Sequence, residues 1–161
     1  MTVNELNNAI TFDLPNEQAS EAFATCLASC LTPPLIITFC GDLGAGKTTI
    51  IRAMLRHLGI RSAIKSPTFS LVESYVCQNM PVHHFDLYRI QHEDELEYLG
   101  FRDYFTNESI CCIEWAEKAG KALPKVDIRF KLNMKGAGRE MQITTFSDTG
   151  KRILDRLAGE L

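Results

Sequence analysis

The sequence predicts an α/β protein in which a mixed, mainly parallel sheet is flanked by helices and carries antiparallel hairpins. Two short apolar segments, LIITFC (35–40) and SICCIEW (109–115), are typical of strands that are buried on both faces. A glycine-rich segment follows the first of these strands and precedes a helical pattern. No internal repeat, low-complexity tract or linker divides the chain, so we expect a single domain spanning residues 1–161.

The composition is that of a folded protein and argues against several classes of function. A chain of 161 residues with 45% apolar residues can bury a core without disulfides or a structural metal. Its net charge of -3 argues against a broad basic surface, so we expect no DNA binding and only local or indirect contact with RNA. The first 15 residues lack the basic and apolar regions of a secretion signal, and no apolar run approaches the roughly 18 residues of a membrane span. These features predict a cytoplasmic protein without membrane contact.

The six cysteines contain no CxxC pair, and most of them lie in apolar segments. We interpret them as buried free thiols, with metal or redox chemistry as the alternative. They are Cys26, Cys30, Cys40, Cys77, Cys111 and Cys112.

Hydrophobic periodicity predicts two helices around the first strand. Residues 17–31 repeat apolar side chains at helical spacing, and a Thr-Pro-Pro segment separates this helix from the strand at 35–40. A second helix is predicted from Lys47 to about Leu58, where a glycine follows it. The order helix, strand, helix is expected in an α/β layer structure.

The second half of the chain predicts two hairpins and further helical segments. Alternation over residues 67–89, around the turn-forming QNMP, predicts an antiparallel hairpin with its edges near the functional site. Residues 94–105 have helical character. Segments 127–134 and 139–146 alternate around KGAG and predict a second hairpin, and GKRILDRLAGEL (150–161) predicts a closing helix.

The segment GDLGAGKT (41–48) matches the pattern GxxxxGK[ST] of a phosphate-binding loop. Its three glycines let the backbone turn N–H groups around an anion, and the positive end of the following helix adds to that field. Lys47 is expected to reach the β- and γ-phosphates, Thr48 to bind Mg²⁺ and Thr49 to contact the α-phosphate side. We therefore predict the P-loop NTPase fold, against the alternative of a glycine-rich turn that only caps a helix. The residues predicted to bind ATP are Asp42, Leu43, Gly44, Ala45, Gly46, Lys47, Thr48 and Thr49.

A nucleotide bound with Mg²⁺ also needs an acidic group at the end of a neighbouring strand, and Glu114 supplies one. It occupies the Walker B position, where a carboxylate can hold Mg²⁺ through water or orient the attacking water. The alternative is a solvated residue at a strand end. Trp115, the only tryptophan, either packs near the site or covers the core.

The first hairpin carries a second acidic candidate, Asp86. Alternation places His84, Asp86 and Tyr88 on one face, from which Asp86 can coordinate the metal or its water shell. Arg89 is a candidate to pair with Asp86 or with another acidic group. The alternative is a polar outer face of a hairpin.

The segment SPTF at the start of this hairpin resembles a switch. The hydroxyls of Ser66 and Thr68 could sense the γ-phosphate, or the segment could be an ordinary turn that opens a strand. The sequence has no NKxD guanine-reading motif, no LSGGQ segment and no arginine-rich lid. The remaining classes are a minimal ATP-binding switch and a small kinase.

Four motifs in one order, GDLGAGKTT, SPTFSLVESY, HHFDLYRI and IEWAEK, resemble those of a single family. Together they are similar to the TsaE (YjeE-type) family of small bacterial P-loop ATPases, which acts in tRNA threonylcarbamoyladenosine modification. The resemblance covers residues 10–146. It implies that ATP binding and slow hydrolysis act on two partner proteins, TsaB and TsaD, which form the modified adenosine at position 37 of tRNAs reading ANN codons. It also implies contact with tRNA only through that complex.

The resemblance assigns roles residue by residue. It implies that Lys47, Asp86 and Glu114 are catalytic, and that Thr48 binds Mg²⁺ together with the two carboxylates. Trp115 belongs to the same IEW element as Glu114, and with Ser66 and Thr68 it forms the implied switch. Thr11, in the N-terminal segment, is a candidate to contact adenine.

Two other functions stay open on the sequence alone. One is a small-molecule kinase, and the other is a nucleotide-sensing module with negligible turnover. A kinase needs a second substrate pocket, a general base and a closing lid, and no segment is a clear candidate for these.

Overall fold

The computed structural model describes residues 2–4 and 9–161 and confirms the α/β class. Met1 and residues 5–8, which belong to the N-terminal stretch discussed above, lie outside the described residues. The strands are β1 (Thr2–Asn4), β2 (Ala9–Leu14), β3 (Leu35–Cys40), β4 (Val72–Cys77), β5 (Met80–Asp86), β6 (Ile110–Glu114), β7 (Ile128–Lys135) and β8 (Gly138–Thr145). The helices are α1 (Glu17–Cys30), α2 (Lys47–His57), α3 (Glu95–Tyr98) and α4 (Asp148–Glu160).

The described strands form one mixed sheet in the order β1-β2-β8-β7-β3-β6-β5-β4. Pairing is parallel at the centre, between β7 and β3, β3 and β6, and β6 and β5. The outer pairs are antiparallel: each hairpin contributes one, and β2 adds two more by pairing with β8 and β1. The expected mainly parallel character therefore applies to the centre of the sheet, where the glycine-rich loop begins.

The strands β1 and β2 were not predicted from the sequence. In β2 the buried residues Ile10, Phe12 and Leu14 alternate with the more exposed Thr11 and Asp13, which is the pattern of a half-buried strand. The strand pairs with β8, whose sequence lies far along the chain. This pairing brings the N-terminal segment next to the second hairpin.

Two predicted elements are shorter than expected. Residues 67–71 form a turn instead of a strand, because the Leu71 N–H donates to the Pro67 carbonyl and Leu71 has a φ of +68°. Helical character over 94–105 is divided into α3 and a 3₁₀ turn at Phe101–Tyr104 by Gly100, which has a φ of +66°. The first hairpin closes through a two-residue turn, Gln78 and Asn79, both with positive φ as a type I′ turn requires.

The core has a layer on each face of the sheet. On one face, α1, α2 and α4 pack on the central strands around residues such as Phe23, Met54 and Phe130. On the other face, α3 and the 3₁₀ segments pack on β5 and β6. Side chains of β6 alternate between the two layers, since Cys112 belongs to the first layer and Cys111 to the second. The strand is therefore buried on both faces, as its sequence predicted.

The cysteines are free, and four of the six are buried. Burial raises the pKa of the Cys111 thiol to about 12 and that of Cys112 well above its ordinary value. Such thiols are poor nucleophiles, which agrees with the interpretation of packed free cysteines. Cys26 and Cys40 are only half-buried.

None of the helices in the described ranges combines the length and apolar character that a membrane crossing requires.

The packing of α4 predicts opposite effects for two glycines of one helix. Gly150 is buried, and a Cβ at this position would overlap the backbone carbonyl of Asp127, whereas a Cβ at Gly159 would meet nothing. In unfolding by urea, Gly150→Ala should lower the free energy of unfolding by about 1–3 kcal/mol through overpacking. Gly159→Ala should raise it by about 0.4–1 kcal/mol, the usual gain where the backbone conformation suits alanine. Stabilisation by Gly150→Ala would contradict this packing.

Candidate functional site

The loop between β3 and α2 has a backbone conformation that its glycines permit. Gly41, Gly44 and Gly46 have φ values of +142°, +80° and +105°, a region that residues with a Cβ rarely adopt. A Cβ at Gly41 would also overlap the carbonyl oxygen of Leu132 on β7. The loop leads to the N-terminus of α2, where first-turn N–H groups have no acceptors within the helix. This is the geometry of an anion-binding loop.

The Lys47 side chain is buried, and its ammonium group lies against the loop. Nζ donates a hydrogen bond to the Gly41 carbonyl oxygen at 2.6 Å and lies 4.0 Å from the centre of the Trp115 ring. Trp115 follows β6 directly and has a φ of +58°, a conformation that is uncommon for a bulky residue. Trp115 thus packs on the loop lysine, which is the first of the two positions expected for it.

Glu114 ends β6 with a buried carboxylate, 2% exposed. Its Oε1 accepts a hydrogen bond from the Thr48 hydroxyl at 2.8 Å, and its Oε2 lies 2.7 Å from Nε2 of His84. The alternation of β6 explains this position, because Glu114 follows Cys112 on the face that α2 covers. The alternative of a solvated residue at a strand end is wrong.

Asp86 ends β5 directly opposite Glu114 in the parallel pair. Its Oδ2 accepts a hydrogen bond from the Thr68 hydroxyl at 3.3 Å, and the Ser66 hydroxyl lies 2.8 Å from that of Thr68. Its Oδ1 accepts from the Tyr88 N–H at 3.0 Å. Asp86 is buried, so the alternative of a polar outer face is wrong. The structure therefore connects the SPTF segment to the end of β5.

Two residues beyond β5 depart from the expected pattern. Tyr88 lies past the end of the strand and is exposed, with its ring centre 5.0 Å from that of Trp115. The guanidinium of Arg89, a candidate to pair with Asp86 or another acidic group, lies over the Phe69 ring at 4.1 Å instead. No salt bridge joins Arg89 to a carboxylate within the described ranges. The cation–π contact holds Arg89 against Phe69 of the SPTF segment.

A cavity of about 290 Å³ opens beside the loop. Arg139 of β8 borders it and donates from Nε to the Ala45 carbonyl oxygen at 2.7 Å. Thr11 lies in the middle of β2 and outside the cavity lining, whereas Leu14 and Asn16 of the same N-terminal segment line it. The lining also includes Gly46, Thr49, Ile50, Leu132 and Gly138.

The structure brings most of the predicted site residues together. Lys47 contacts Trp115, and the next residue, Thr48, bonds to Glu114. The second carboxylate, Asp86, accepts from the Thr68 hydroxyl, which lies beside that of Ser66. Asp42, Leu43, Gly44 and Thr49 are exposed on the loop and the first turn of α2, whereas Ala45 is buried.

Sequence reasoning did not assign two residues of this region. The sequence placed His84 on the face of Asp86 but predicted no contact with Glu114. That contact depends on the pairing of β5 with β6, in which His84 and Glu114 are diagonal neighbours. Arg139 lies in a generic hairpin pattern, and no sequence signal relates it to the loop.

Comparison with known proteins agrees with this geometry. The family model described as "Threonylcarbamoyl adenosine biosynthesis protein TsaE" matches residues 14–142. The chain belongs to the TsaE family. It is similar to the Haemophilus influenzae tRNA threonylcarbamoyladenosine biosynthesis protein TsaE, with 39% identity over 91% of this chain and 96% of the relative. The protein of the same name from Bacillus subtilis is 36% identical over 85% of this chain and 84% of its own length.

A solved structure gives the same result for the fold. The crystal structure of Bacillus subtilis YdiB superposes with a TM-score of 0.82 and 25% identity, covering 97% of this chain and 98% of that one. The P-loop fold predicted from GDLGAGKT is thereby confirmed. Membership of the TsaE family supports a role in tRNA threonylcarbamoyladenosine biosynthesis.

The oxygen-bearing residues around the loop at 41–48 fit a magnesium ion. Thr48 and Glu114 present oxygen atoms 2.8 Å apart, and Asp86 lies opposite Glu114 in the adjacent strand. Mg²⁺ prefers hard oxygen ligands and is usually held by one or two protein groups together with water and substrate phosphates. Within the described residues, no cluster of three or more His, Cys, Asp or Glu forms a self-sufficient metal cage. This donor set suits a metal that arrives with a nucleotide.

The contact between Lys47 and Trp115 predicts a fluorescence signal. Because Trp115 is the only tryptophan, its emission should change saturably when ATP phosphates draw Nζ away from the ring. Titration of ATP at fixed Mg²⁺ measures this change. Lys151→Ala, an exposed substitution on α4, should keep the response, and Lys47→Ala should abolish it. An undiminished response of Lys47→Ala would show that the signal has another origin.

Proposed function

We propose that the chain is a Mg²⁺-dependent ATP-binding protein and slow ATPase that is required for threonylcarbamoylation of adenosine 37 in tRNAs reading ANN codons. It acts on a TsaB–TsaD complex and not on the base itself, as one cytoplasmic domain spanning residues 1–161. The observation that carries the proposal is the hydrogen bond from the Thr48 hydroxyl to the buried Glu114 carboxylate beside the phosphate loop. An anion-binding loop alone would explain phosphate binding but not this buried carboxylate.

The residues of the site have separate roles in this proposal. The loop N–H groups and Lys47 bind the phosphates, and Arg139 supports the loop through the Ala45 carbonyl. Thr48, Glu114 and Asp86 are the groups that would hold Mg²⁺, which when bound neutralises charge on the phosphate oxygens. Glu114 and Asp86 orient water for attack. The cavity beside Gly46 is the proposed place for the nucleoside.

Two arginine side chains are held by contacts with other residues of this chain, which supports slow turnover. Arg139 donates to the Ala45 carbonyl, and Arg89 lies on the Phe69 ring. An arginine that stabilises the charge of phosphoryl transfer raises the rate by about 10³–10⁵. An ATPase without such a residue in place hydrolyses slowly until a partner changes the site.

Two exposed apolar side chains favour action on a protein partner over phosphorylation of a small molecule. Leu43 of the phosphate loop is 72% exposed, and Phe69 of the SPTF segment is 81% exposed. We take these side chains as candidates for contact with a protein partner. The SPTF segment is connected to Asp86 and can transmit a change at the phosphates to Phe69.

Binding of purified TsaB–TsaD to the immobilised chain tests the proposal. We expect retention with ATP and Mg²⁺ that falls at least about tenfold without nucleotide, the coupling of a two-state switch. Lys151→Ala should behave as the unaltered chain. Retention that does not depend on nucleotide would contradict the switch. Transfer of labelled phosphate from ATP to a metabolite would favour the small-molecule kinase instead.

A further inference from the structure

His84 occupies a core position that an apolar residue could fill. It lies within β5 opposite Cys112 of β6, and its exposed fraction is 1%. The neighbouring strand position on the same face, Val82, is apolar and fully buried. Burial of an imidazole costs free energy unless both ring nitrogens are hydrogen-bonded.

Only one of the two nitrogens of His84 is hydrogen-bonded. Nε2 lies 2.7 Å from Oε2 of Glu114, whereas the buried Nδ1 has no hydrogen-bond partner among the residues that the structure describes. An unpartnered buried polar atom costs about 1–3 kcal/mol. An apolar residue at this position would avoid that cost, so the bond to Glu114 is what distinguishes His84 from a residue that only fills space.

The partners of Glu114 define the direction of its hydrogen bond with His84. A carboxylate accepts hydrogen bonds, and Glu114 already accepts at Oε1 from the Thr48 hydroxyl. In the pair with His84, Nε2 is therefore the donor and Oε2 of Glu114 is the acceptor. His84 is thus a fixed donor to the second oxygen of the carboxylate.

We propose that His84 is a positioning residue that holds the Glu114 carboxylate in the orientation in which Oε1 meets Thr48. The terminal torsion of a glutamate is broad, so one hydrogen bond leaves the carboxylate free to turn, whereas two bonds at opposite oxygens fix it. Fixing Oε1 fixes the acceptor for the Thr48 hydroxyl proton, which would leave the oxygen lone pairs of Thr48 available to Mg²⁺. The inference rests on the proposed function.

The size of the effect follows from this arrangement. Groups that orient the ligands of a metal typically contribute 10- to 100-fold in metal affinity or activity, an order-of-magnitude range. Loss of the His84 donor should therefore weaken Mg²⁺ binding in the presence of ATP. It should leave ATP binding without Mg²⁺ unchanged, because His84 has no contact with the phosphate loop in the described hydrogen bonds.

Two substitutions separate the hydrogen bond from the volume of the ring. The amide nitrogen of glutamine reaches the place of Nε2, whereas that of asparagine reaches only the place of Nδ1. His84→Asn should raise the Mg²⁺ concentration that half-saturates ATP binding by about 10- to 100-fold, and His84→Gln should restore most of the affinity. The control is His83→Asn, since His83 lies on the other face of β5 and bonds to Ser74.

Calorimetric titrations of Mg²⁺ in the presence of ATP, and of ATP in EDTA, give the readout on the complete chain. Unchanged Mg²⁺ affinity in His84→Asn would overturn the inference. The inference would also fail if His84→Gln and His84→Asn lost the same Mg²⁺ affinity while the two variants unfolded at the same temperature. If the unaltered chain binds ATP without any dependence on Mg²⁺, the proposed function and the inference both fail. Mg²⁺ dependence in the unaltered chain with no effect of His84→Asn overturns the inference alone.

A second measurement examines the hydrogen-bond donor directly in the unaltered chain. Two-bond ¹H–¹⁵N correlation spectra of the unaltered chain distinguish the two neutral imidazole tautomers. The His84 signals, identified among the four histidines by their loss in His84→Gln, should show the proton on Nε2. An Nε2 without a proton would overturn the proposal, because it could then not donate to Glu114.

Discussion

Lys47→Ala should weaken ATP binding by at least about 100-fold. Lys47 is buried with its ammonium group on the Gly41 carbonyl, within the loop that we propose binds phosphate. A hydrogen bond to a charged group contributes about 1.5–3 kcal/mol, and 2.8 kcal/mol corresponds to a factor of about 100. Calorimetric titration of ATP into the variant measures the loss.

The control for Lys47→Ala is Lys151→Ala, which removes an exposed lysine of α4 and should bind ATP as the unaltered chain does. Circular dichroism should show that Lys47→Ala remains folded, because the substitution removes a buried charge and opens no large apolar cavity. ATP binding by the folded variant within about threefold of the unaltered chain, less than 0.7 kcal/mol, would refute the site assignment.

Glu114→Gln should lower the rate of ATP hydrolysis by about 100-fold or more while changing ATP affinity less. The substitution keeps the size of the side chain but removes the charge that would hold Mg²⁺ and orient water, and such catalytic groups contribute about 10²–10⁴ in rate. A phosphate-release assay beside calorimetry separates the two effects.

Glu117→Gln provides the matched control. Glu117 lies three residues further along the chain and is exposed, so loss of its charge should leave hydrolysis unchanged. Equal loss of binding and hydrolysis in Glu114→Gln would show that Glu114 serves nucleotide binding or folding and has no separate role in hydrolysis.

The centre of the fold was predictable because its signals are local. LIITFC, GDLGAGKT and the helix from Lys47 lie in one continuous segment, and each element follows from the spacing of its own residues. Glu114 was predictable for a similar reason, because it ends an apolar strand. Parallel strands also place their carboxyl ends at one edge, where the loop begins.

The remaining features depend on pairing between distant segments. The alternation of Ile10, Phe12 and Leu14 in β2 was visible in the sequence, but its partner β8 lies far along the chain. The contact of His84 with Glu114 requires the register of β5 and β6, which no local pattern contains. Arg139 reaches the loop because β8 pairs with β7, which is the neighbour of β3 in the sheet.

The segments 94–105 and 67–71 differ from the sequence prediction because single residues in them adopt a positive φ. Gly100 adopts a positive φ, and α3 ends after four residues. Leu71, which precedes β4, also adopts a positive φ although it is not a glycine. Leu71 keeps this conformation because its N–H is bonded to Pro67 and its carbonyl accepts from Asp86. Tertiary hydrogen bonds of this kind override local propensity.

The most direct test of the account is a reconstituted threonylcarbamoylation assay with purified TsaB, TsaD, the activated threonylcarbamoyl donor, tRNA and this chain. Modified tRNA per TsaD molecule should rise above one only when the chain, ATP and Mg²⁺ are all present. Lys47→Ala should give no more product than omission of the chain. Product formation with Lys47→Ala equal to that with the unaltered chain would contradict the claim that the nucleotide site drives the pathway.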